Sequence, residues 1–376
     1  GGIVGDLAAM EMMYSFKSFF NNCLDSKNIE CRGKQTYLNP DEKINYIFNS
    51  TINGIEESDF ILLVGTNPRL EATMVNARIR KAYLKNKIKI YSIGDPGDLT
   101  YPYKFVGSNT DIIKDIASND HEISKKIKES KKPIVLIGES ALINELGEYI
   151  FETLKKFLAE NNFINNNWNA LNILSQQASR VGAVNLGLYS INAKNNYIFF
   201  NKLKNNRFKF LYLLGMDDFD INKKDEFVVY QGSHGDKGAA IADIIFPGAA
   251  YTEKNGLFLN MEGKLQKAYK ASYPPGIAKE DWVIFHEIAN RLKKPLDFNN
   301  NEQLIKRILK NIKTPQNIGD LPETDKKPVK VRDVKFIDGK IILNKIDYYY
   351  SNVIARSSKT MTECREISNK ILATGT

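Results

Sequence analysis

The residues with the clearest chemical potential lie in a glycine-rich loop, GSHGDKG (232–238), which follows a short apolar run. His234 stands two residues before Asp236, and a histidine oriented by Asp236 or by Glu253 could transfer protons. The backbone amides of such a loop can also bind an anion. A histidine that is simply hydrogen-bonded within a tight loop is the commoner arrangement, so both interpretations stay open at this point.

Two further motifs place polar residues at the ends of apolar runs. Gly65, Thr66, Asn67 and Pro68 end one run and begin a helical pattern, which is where doubly wound folds receive anionic ligands. The second motif is ADIIFPGAAYTEKNGLFLNMEGKLQ (242–266), in which Asn255–Gly256 is a hairpin signal. Later in this motif, the sequence predicts another polar turn at Asn260, Glu262 and Gly263.

Several well-defined chemistries are excluded by the spacing of the residues. The G-x-G-x-x-G dinucleotide fingerprint and the G-x-x-x-x-G-K-[ST] phosphate loop are absent, and so is the G-x-S-x-G nucleophile elbow. The three cysteines, Cys23, Cys31 and Cys364, form no C-x-x-C pair, which argues against an iron–sulfur or zinc site. The sequence therefore offers no catalytic residue and no metal ligand that can be assigned.

The elements that position these residues are indicated by short apolar runs that end in glycine. Such runs are typical of strands buried on both faces, and the glycine lets the chain turn sharply at the strand end. Amphipathic helical patterns separate them, as in 69–85, 141–160 and 280–293. The alternation predicts an α/β fold with open, doubly wound, mostly parallel sheets and helices on both faces. The runs are FILLVG (60–65), IYSIG (90–94), IVLIG (134–138), FLYLLG (210–215), FVVYQG (227–232) and DIIFPG (243–248).

The composition of the chain argues against a disordered, a membrane-spanning or a nucleic-acid-binding protein. The chain has 376 residues, 43% of them hydrophobic, with a net charge of +9. These values exclude wholesale disorder, and no apolar stretch is long enough to span a membrane. The basic residues are scattered and accompany no RNA- or DNA-binding motif, so nucleic acid is not the expected partner. The first residues, GGIVGDLAAMEMMYSF, resemble neither a signal peptide nor a natural start, and we expect a fragment of a longer protein.

At these motifs the sequence resembles a known family. The strand–G-T-N-P–helix unit, followed far downstream by 242–266, resembles the molybdopterin oxidoreductase family. The chain as a whole, including PPGIAKEDW (274–282) and the tail YYYSNVIARSSKTMTEC (348–364), resembles one region of NADH–quinone oxidoreductase, which is respiratory complex I. That region is the C-terminal, molybdopterin-type part of the largest iron–sulfur subunit in the peripheral arm. The mitochondrial and alphaproteobacterial versions of this subunit are the most similar.

The resemblance implies a function without catalysis. In this family the iron–sulfur clusters that carry electrons from NADH toward quinone lie in an N-terminal part absent here, and the molybdopterin-type region is a scaffold without a cofactor. No cofactor is therefore expected in this fragment. The partners would be other peripheral-arm subunits, on the matrix or cytoplasmic face of the inner membrane, with only indirect membrane contact. The positions that match family motifs would be vestigial: Gly65, Asn67, Pro68, Gly232, Gly235 and Glu253.

Two other functions remain open. One is an active molybdopterin-dependent oxidoreductase of the formate dehydrogenase type, which would need a molybdenum ligand and a basic lining around 65–68 and 232–238. The other is a stand-alone nucleotide- or nucleic-acid-binding module, which would need one of the missing fingerprints.

The resemblance also suggests a division of the chain. One discontinuous lobe would comprise 1–118 and 226–295, with 119–225 inserted as a second lobe and 296–376 as a helix, a linker and a tail. The tail carries three adjacent tyrosines, Tyr348 to Tyr350, followed by Arg356. Because tyrosine and arginine are enriched at protein interfaces, we expect residues 346–364 to dock partly onto another subunit. The alternative is that they fold back onto their own lobe.

Overall fold

The computed structural model describes residues 1–192, 195–312, 317–322 and 328–374. The linker that the sequence predicts after the helix, KTPQNIGDLPETDKKPVKVRD (313–333), therefore lies partly outside the described residues. Within them the strands are β1 (Gly2–Val4), β2 (Ile29–Glu30), β3 (Phe60–Val64), β4 (Lys89–Ile93), β5 (Lys104–Gly107), β6 (Pro133–Gly138), β7 (Leu171–Leu174), β8 (Phe210–Leu214), β9 (Phe227–Gly232), β10 (Ile244–Pro247), β11 (Gly256–Leu259) and β12 (Leu265–Ala268).

The helices connect and cover these strands. They are α1 (Met10–Cys23), α2 (Pro68–Glu71), α3 (Thr73–Asn86), α4 (Asp111–Ser118), α5 (Glu122–Glu129), α6 (Asn144–Glu160), α7 (Arg180–Leu186), α8 (Ile198–Lys204), α9 (Lys237–Ala240), α10 (Asp281–Arg291), α11 (Asn301–Asn311), α12 (Val353–Ser357) and α13 (Lys359–Thr374). None of the described helices combines the length and apolar composition that a bilayer crossing requires.

The strands form two five-stranded parallel sheets and one antiparallel hairpin. Sheet one has the order β10-β9-β8-β1-β2, sheet two has the order β5-β4-β3-β6-β7, and β11 pairs with β12. All six predicted glycine-terminated runs are strands, and the predicted α/β fold with parallel sheets is confirmed. Each sheet reverses its order at an internal pair of strands, β1 and β8 in sheet one and β3 and β6 in sheet two. Doubly wound folds bind ligands beyond the carboxyl ends of such pairs.

Apolar residues cover both sheets. In sheet one, the aromatic side chains of α1, β8 and α10 pack together, with the Phe16 and Tyr212 ring centroids 5.7 Å apart and those of Phe19 and Phe285 5.4 Å apart. In sheet two, all five residues of β3 are buried, and Ile150 and Leu154 of α6 are completely inaccessible to solvent. The buried apolar residues of the described chain form four clusters, one on each face of each sheet.

The sheets do not follow the predicted division into 1–118 with 226–295 and an inserted 119–225. Strand β3 pairs with β4 and β6, whereas β10 pairs with β9 in the other sheet. The inserted unit thus carries β3 to β7, and sheet one combines β1 and β2 with β8 to β10. The predicted division followed from the family resemblance, which implied that the segment 243–248 returns to the sheet of the strand at 60–64. The sequence could not correct this expectation, because strands of two or three residues, such as β1 and β2, give no visible apolar pattern.

The helix predicted at the start of 296–376 is present as α11. It packs into the core of sheet one, where Leu304 and Ile308 are completely buried. Asn300 caps this helix by accepting a hydrogen bond from the Gln303 amide at 2.9 Å. Beyond residue 312 the described chain comprises residues 317–322 and 328–374, and Ile341 within it joins the core of sheet two.

Candidate functional site at the strand ends

Glycines shape the carboxyl ends of the parallel strands. Gly65 after β3, Gly94 after β4 and Gly215 after β8 have positive φ angles, which glycine adopts at little cost. A Cβ atom on Gly5, after β1, would lie 1.7 Å from the Gly215 carbonyl oxygen. The backbones of β1 and β8 therefore approach each other closely at the point where sheet one reverses its order.

At the end of β3, the chain supplies its own carboxylate where an anionic ligand was expected. Glu71 accepts hydrogen bonds from the Asn67 amide at 2.8 Å and from the Thr66 hydroxyl at 2.9 Å. Asn67 caps α2 through the Leu70 amide and donates from Nδ2 to the Pro96 carbonyl at 2.6 Å. Burial is the main cause that raises the pKa of Glu71 above its usual value. The G-T-N-P turn is thus satisfied internally.

The tail covers the same strand ends. Ile341 is buried, with 2% of its area exposed, and its amide donates to the Ser108 carbonyl at 2.8 Å. Its Cγ2 atom lies 2.9 Å from the position that a Cβ on Gly65 would take, and the Leu343 Cδ1 lies 2.7 Å from that of Gly94. Apolar tail side chains therefore fill the space directly above β3 and β4.

At the ends of β8 and β9, Arg356 of the tail meets a group of aspartates. The Arg356 Nη2 lies 2.5 Å from Asp217 Oδ2, its Nε lies 2.6 Å from Asp236 Oδ2, and Nη1 is 3.9 Å from Asp218 Oδ2. The side chain of Arg356 is about four-fifths buried. Burial raises the pKa of Asp217 despite the opposing charge of Arg356. The loop that could have formed an anion-binding nest instead presents carboxylates that bind a cation.

His234 does not form the acid–base pair that the sequence allowed. Its Nδ1 lies 2.9 Å from the Ser233 hydroxyl, while Asp236 is engaged by the Lys237 amide and by Arg356. Glu253 accepts a hydrogen bond from the Ala250 amide at 2.9 Å and caps a short 3-10 turn. The histidine is therefore held within its tight loop.

The other sequence-predicted positions also serve turns and packing. Pro68 is the first residue of α2. At Gly232 a Cβ would come within 2.3 Å of the Tyr230 hydroxyl, whereas at Gly235 it would have room. The predicted polar turn at 260–263 connects β11 to β12, whereas Asn255–Gly256 lies at the start of β11 and is not the hairpin turn. The hairpin signal was thus placed one strand too early.

Sequence reasoning missed a charged cluster in the cleft between the sheets. Asp6 follows β1, Glu139 follows β6, and Arg180 at the start of α7 is buried and lies 3.9 Å from Glu139. The side chain of Asp6 is exposed to solvent, but protein groups crowd around it, and desolvation raises the pKa of its carboxyl to about 6. An acidic residue directly after a strand-terminating glycine was the available signal, as in Gly5–Asp6 and Gly138–Glu139.

A cavity of about 700 Å³ remains beside this cluster. It is lined mainly by amides and apolar groups, including Gln176, Gln177, Asn260 and Asn352 of the tail. Among the described residues, no group of three or more His, Cys, Asp and Glu side chains could hold a metal ion. That the fragment binds neither a metal nor a cofactor remains a prediction.

The tail lies on its own chain over much of its described length. Arg332 and Asp333 pair with Asp41 and Lys156, and the Gly339 carbonyl accepts the Thr110 amide at 3.0 Å. Tyr348 remains 58% exposed. Residues 328–358 thus contact their own chain over much of their length. That residues 346–364 dock onto another subunit stays a prediction.

Comparison with known proteins places this arrangement in a family. The sequence profile of the molybdopterin oxidoreductase family matches residues 1–291. The NADH-ubiquinone oxidoreductase 75 kDa subunit of Reclinomonas americana is 36% identical over 97% of this chain and 55% of its own length. The mitochondrial NADH-ubiquinone oxidoreductase 78 kDa subunit of Candida albicans is 36% identical over 96% of this chain and 50% of its own length. An NADH-quinone oxidoreductase subunit of Rickettsia felis is 34% identical over 98% of this chain and 53% of its own length. The chain spans about half the length of the curated relatives it matches.

A solved structure shows the same fold. One chain in the structure of the formyltransferase/hydrolase complex of Methylorubrum extorquens superimposes with a TM-score of 0.55, over 78% of this chain and 91% of that one. The two sequences are only 13% identical, so this likeness bears on the fold alone.

Proposed function

The chain belongs to the molybdopterin oxidoreductase family, and from this membership we propose that it is a non-catalytic scaffold region of an NADH–quinone oxidoreductase. The relatives named above are subunits of such enzymes. The electron-carrying iron–sulfur clusters would lie in a part of the subunit outside this sequence. The chain would sit in the peripheral arm, on the matrix or cytoplasmic face of the inner membrane.

One observation carries the scaffold proposal: the tail occupies the carboxyl ends of both sheets. Ile341 and Leu343 lie over β3 and β4, and Arg356 neutralises the acids that follow β8 and β9. A pterin cofactor with its anionic groups does not fit this lining. The amides at Asn67 are taken by Glu71, and the side chains nearest Arg356 are carboxylates.

The active molybdopterin enzyme would need a basic lining that is free to receive anions. The cations near the loops 65–68 and 232–238 are already paired with carboxylates. Arg69 contacts Asp98, and Lys237 contacts both Asp218 and Asp220. This pairing favours the scaffold over an active oxidoreductase. We therefore derive no reaction step for this chain.

The proposal is tested by isolating the native chain through an affinity tag from cells that make it. We expect NADH dehydrogenase activity and the other peripheral-arm proteins to co-purify with the tag in constant proportion. A tagged chain that is recovered alone, or with an activity that does not use NADH, would refute the assignment. An Ile341→Asp variant, designed to displace the tail, serves as a comparison that should reduce the recovered activity.

A further inference from the structure

The loop between β12 and α10, residues 269–279, exposes an unusual amount of apolar surface. Tyr269 is 71% exposed, Tyr273 is 78% exposed and Ile277 is 84% exposed. Leaving such groups in water forgoes about 25 cal/mol for each Å² of apolar surface that could be buried. Tyrosine is also among the residues that dominate binding energy at protein interfaces.

Backbone hydrogen bonds hold this loop at both ends. The Ala271 amide donates to the Thr252 carbonyl at 2.7 Å, and the Lys270 amide donates to Asn255 Oδ1 at 3.1 Å. At the other end, the Ala249 amide donates to the Lys279 carbonyl at 2.9 Å. A loop fixed in this way presents its side chains without a large further loss of entropy on binding.

Lys267, near the end of β12, and Lys270, in the loop, give this surface a positive charge. The Nζ atom of Lys267 lies 4.9 Å from the centre of the Tyr269 ring, and that of Lys270 lies 4.5 Å from the centre of the Tyr273 ring. Among the ion pairs of the described residues neither lysine has a carboxylate partner, whereas Lys279 pairs with Glu287 at 2.6 Å. The chain as a whole carries a net charge of +9. The loop is therefore complementary to a negatively charged surface.

We infer that residues 267–279 dock onto an acidic surface of another protein of the assembly. Carboxylates of that partner pair with Lys267 and Lys270, and apolar recesses between them receive Tyr273 and Ile277. Desolvation at such an interface strengthens both the ion pairs and the contacts between lysine and tyrosine. The inference rests on the proposed function, because it takes the partner to be a neighbouring subunit.

The test uses the full chain in its native assembly, with the charge-reversal variant Lys267→Glu/Lys270→Glu and the variant Tyr273→Ala. A matched control, Lys128→Glu/Lys131→Glu, makes the same change of charge at two exposed lysines of the second lobe. We expect the charge reversal to lower the amount of chain recovered with NADH dehydrogenase activity about tenfold, and Tyr273→Ala severalfold. The control is expected to stay within about twofold of the original chain.

The possible outcomes separate the two proposals. If the original chain does not co-purify with NADH dehydrogenase activity, both the proposed function and the docking inference are refuted. If the original chain co-purifies and both loop variants do so equally well, only the docking inference is overturned. Thermal unfolding of each isolated variant checks that the fold is kept, as expected for substitutions at exposed positions. The isolated chain is also tested for retention on phosphatidylserine vesicles and on duplex DNA. If it is retained and the loop variants are not, the docking inference is overturned in favour of a membrane or nucleic-acid contact.

Discussion

The Nε atom of Arg356 lies 2.6 Å from the Oδ2 atom of Asp236, although 120 residues of chain separate them. The same guanidinium contacts Asp217, which follows the neighbouring strand β8. One tail residue thus joins the ends of two adjacent strands of sheet one. Removing it would leave two partly buried carboxylates without their counter-charge.

Arg356→Ala is therefore expected to lower the free energy of unfolding by about 2 kcal/mol, because partly buried acids lose their partner. Denaturant titration measures this change, and hydrogen exchange of α12 should become faster. Arg365→Ala is the control, since Arg365 pairs with Asp347 in the same tail but at an exposed site. An equal effect of the two substitutions would contradict the special role of Arg356.

Ile341 and Ile342 offer a second matched pair within the tail. Ile341 is 2% exposed above the ends of β3 and β4, whereas Ile342 is 72% exposed. We expect Ile341→Ala to cost about 2–4 kcal/mol of stability, as for other buried aliphatic residues, and Ile342→Ala to have little effect. Thermal or denaturant unfolding distinguishes them. A tail that is not seated in the cleft would give two small and similar values.

The raised pKa of Asp6 should make the stability of the folded chain depend on pH. Its native pKa is raised to about 6 by desolvation, so the native state binds the proton more tightly than the unfolded chain does. The contribution of Asp6 therefore becomes unfavourable as the pH rises from the ordinary aspartate value to about 6. Asp6→Asn should raise the melting temperature more at neutral pH than at a pH near 4.5. A gain that is constant across this range would mean that Asp6 titrates normally.

The close approach of β1 and β8 makes a prediction at Gly5. Gly5→Ala places a methyl group against the Gly215 carbonyl and should prevent normal folding or destabilise the chain by more than about 3 kcal/mol. Gly235 lies in the loop at the end of β9 and has room for a Cβ. Gly235→Ala should therefore stay within about 0.5 kcal/mol. Soluble yield and circular dichroism compare the two variants directly.

Much of the fold could be predicted because its signals are local. Six of the strands have a short apolar run that ends in glycine, and this glycine permits the turn, as the positive φ of Gly65 and Gly94 confirms. Asn67 and Pro68 begin a helix as their side chains favour. These features depend on neighbours within a few residues.

The remainder depends on contacts between distant segments. The pairing of β1 with β8 joins residues about 210 positions apart, and no local pattern assigns a strand to one sheet or the other. The partner of Asp236 was likewise unpredictable, because Arg356 lies in a tail whose path the sequence does not specify. The sequence allowed His234 and Asp236 to form an acid–base pair because they are close in the chain. Closeness in sequence does not specify the direction in which each side chain points.

The molybdenum and tungsten content of the native assembly, isolated through this chain and measured by elemental mass spectrometry, tests the central claim most directly. Because the tail covers strand ends at which doubly wound folds bind ligands, the account predicts neither metal above background in an assembly that oxidises NADH. Molybdenum or tungsten approaching one atom per chain would contradict it and identify the chain as an active member of its family.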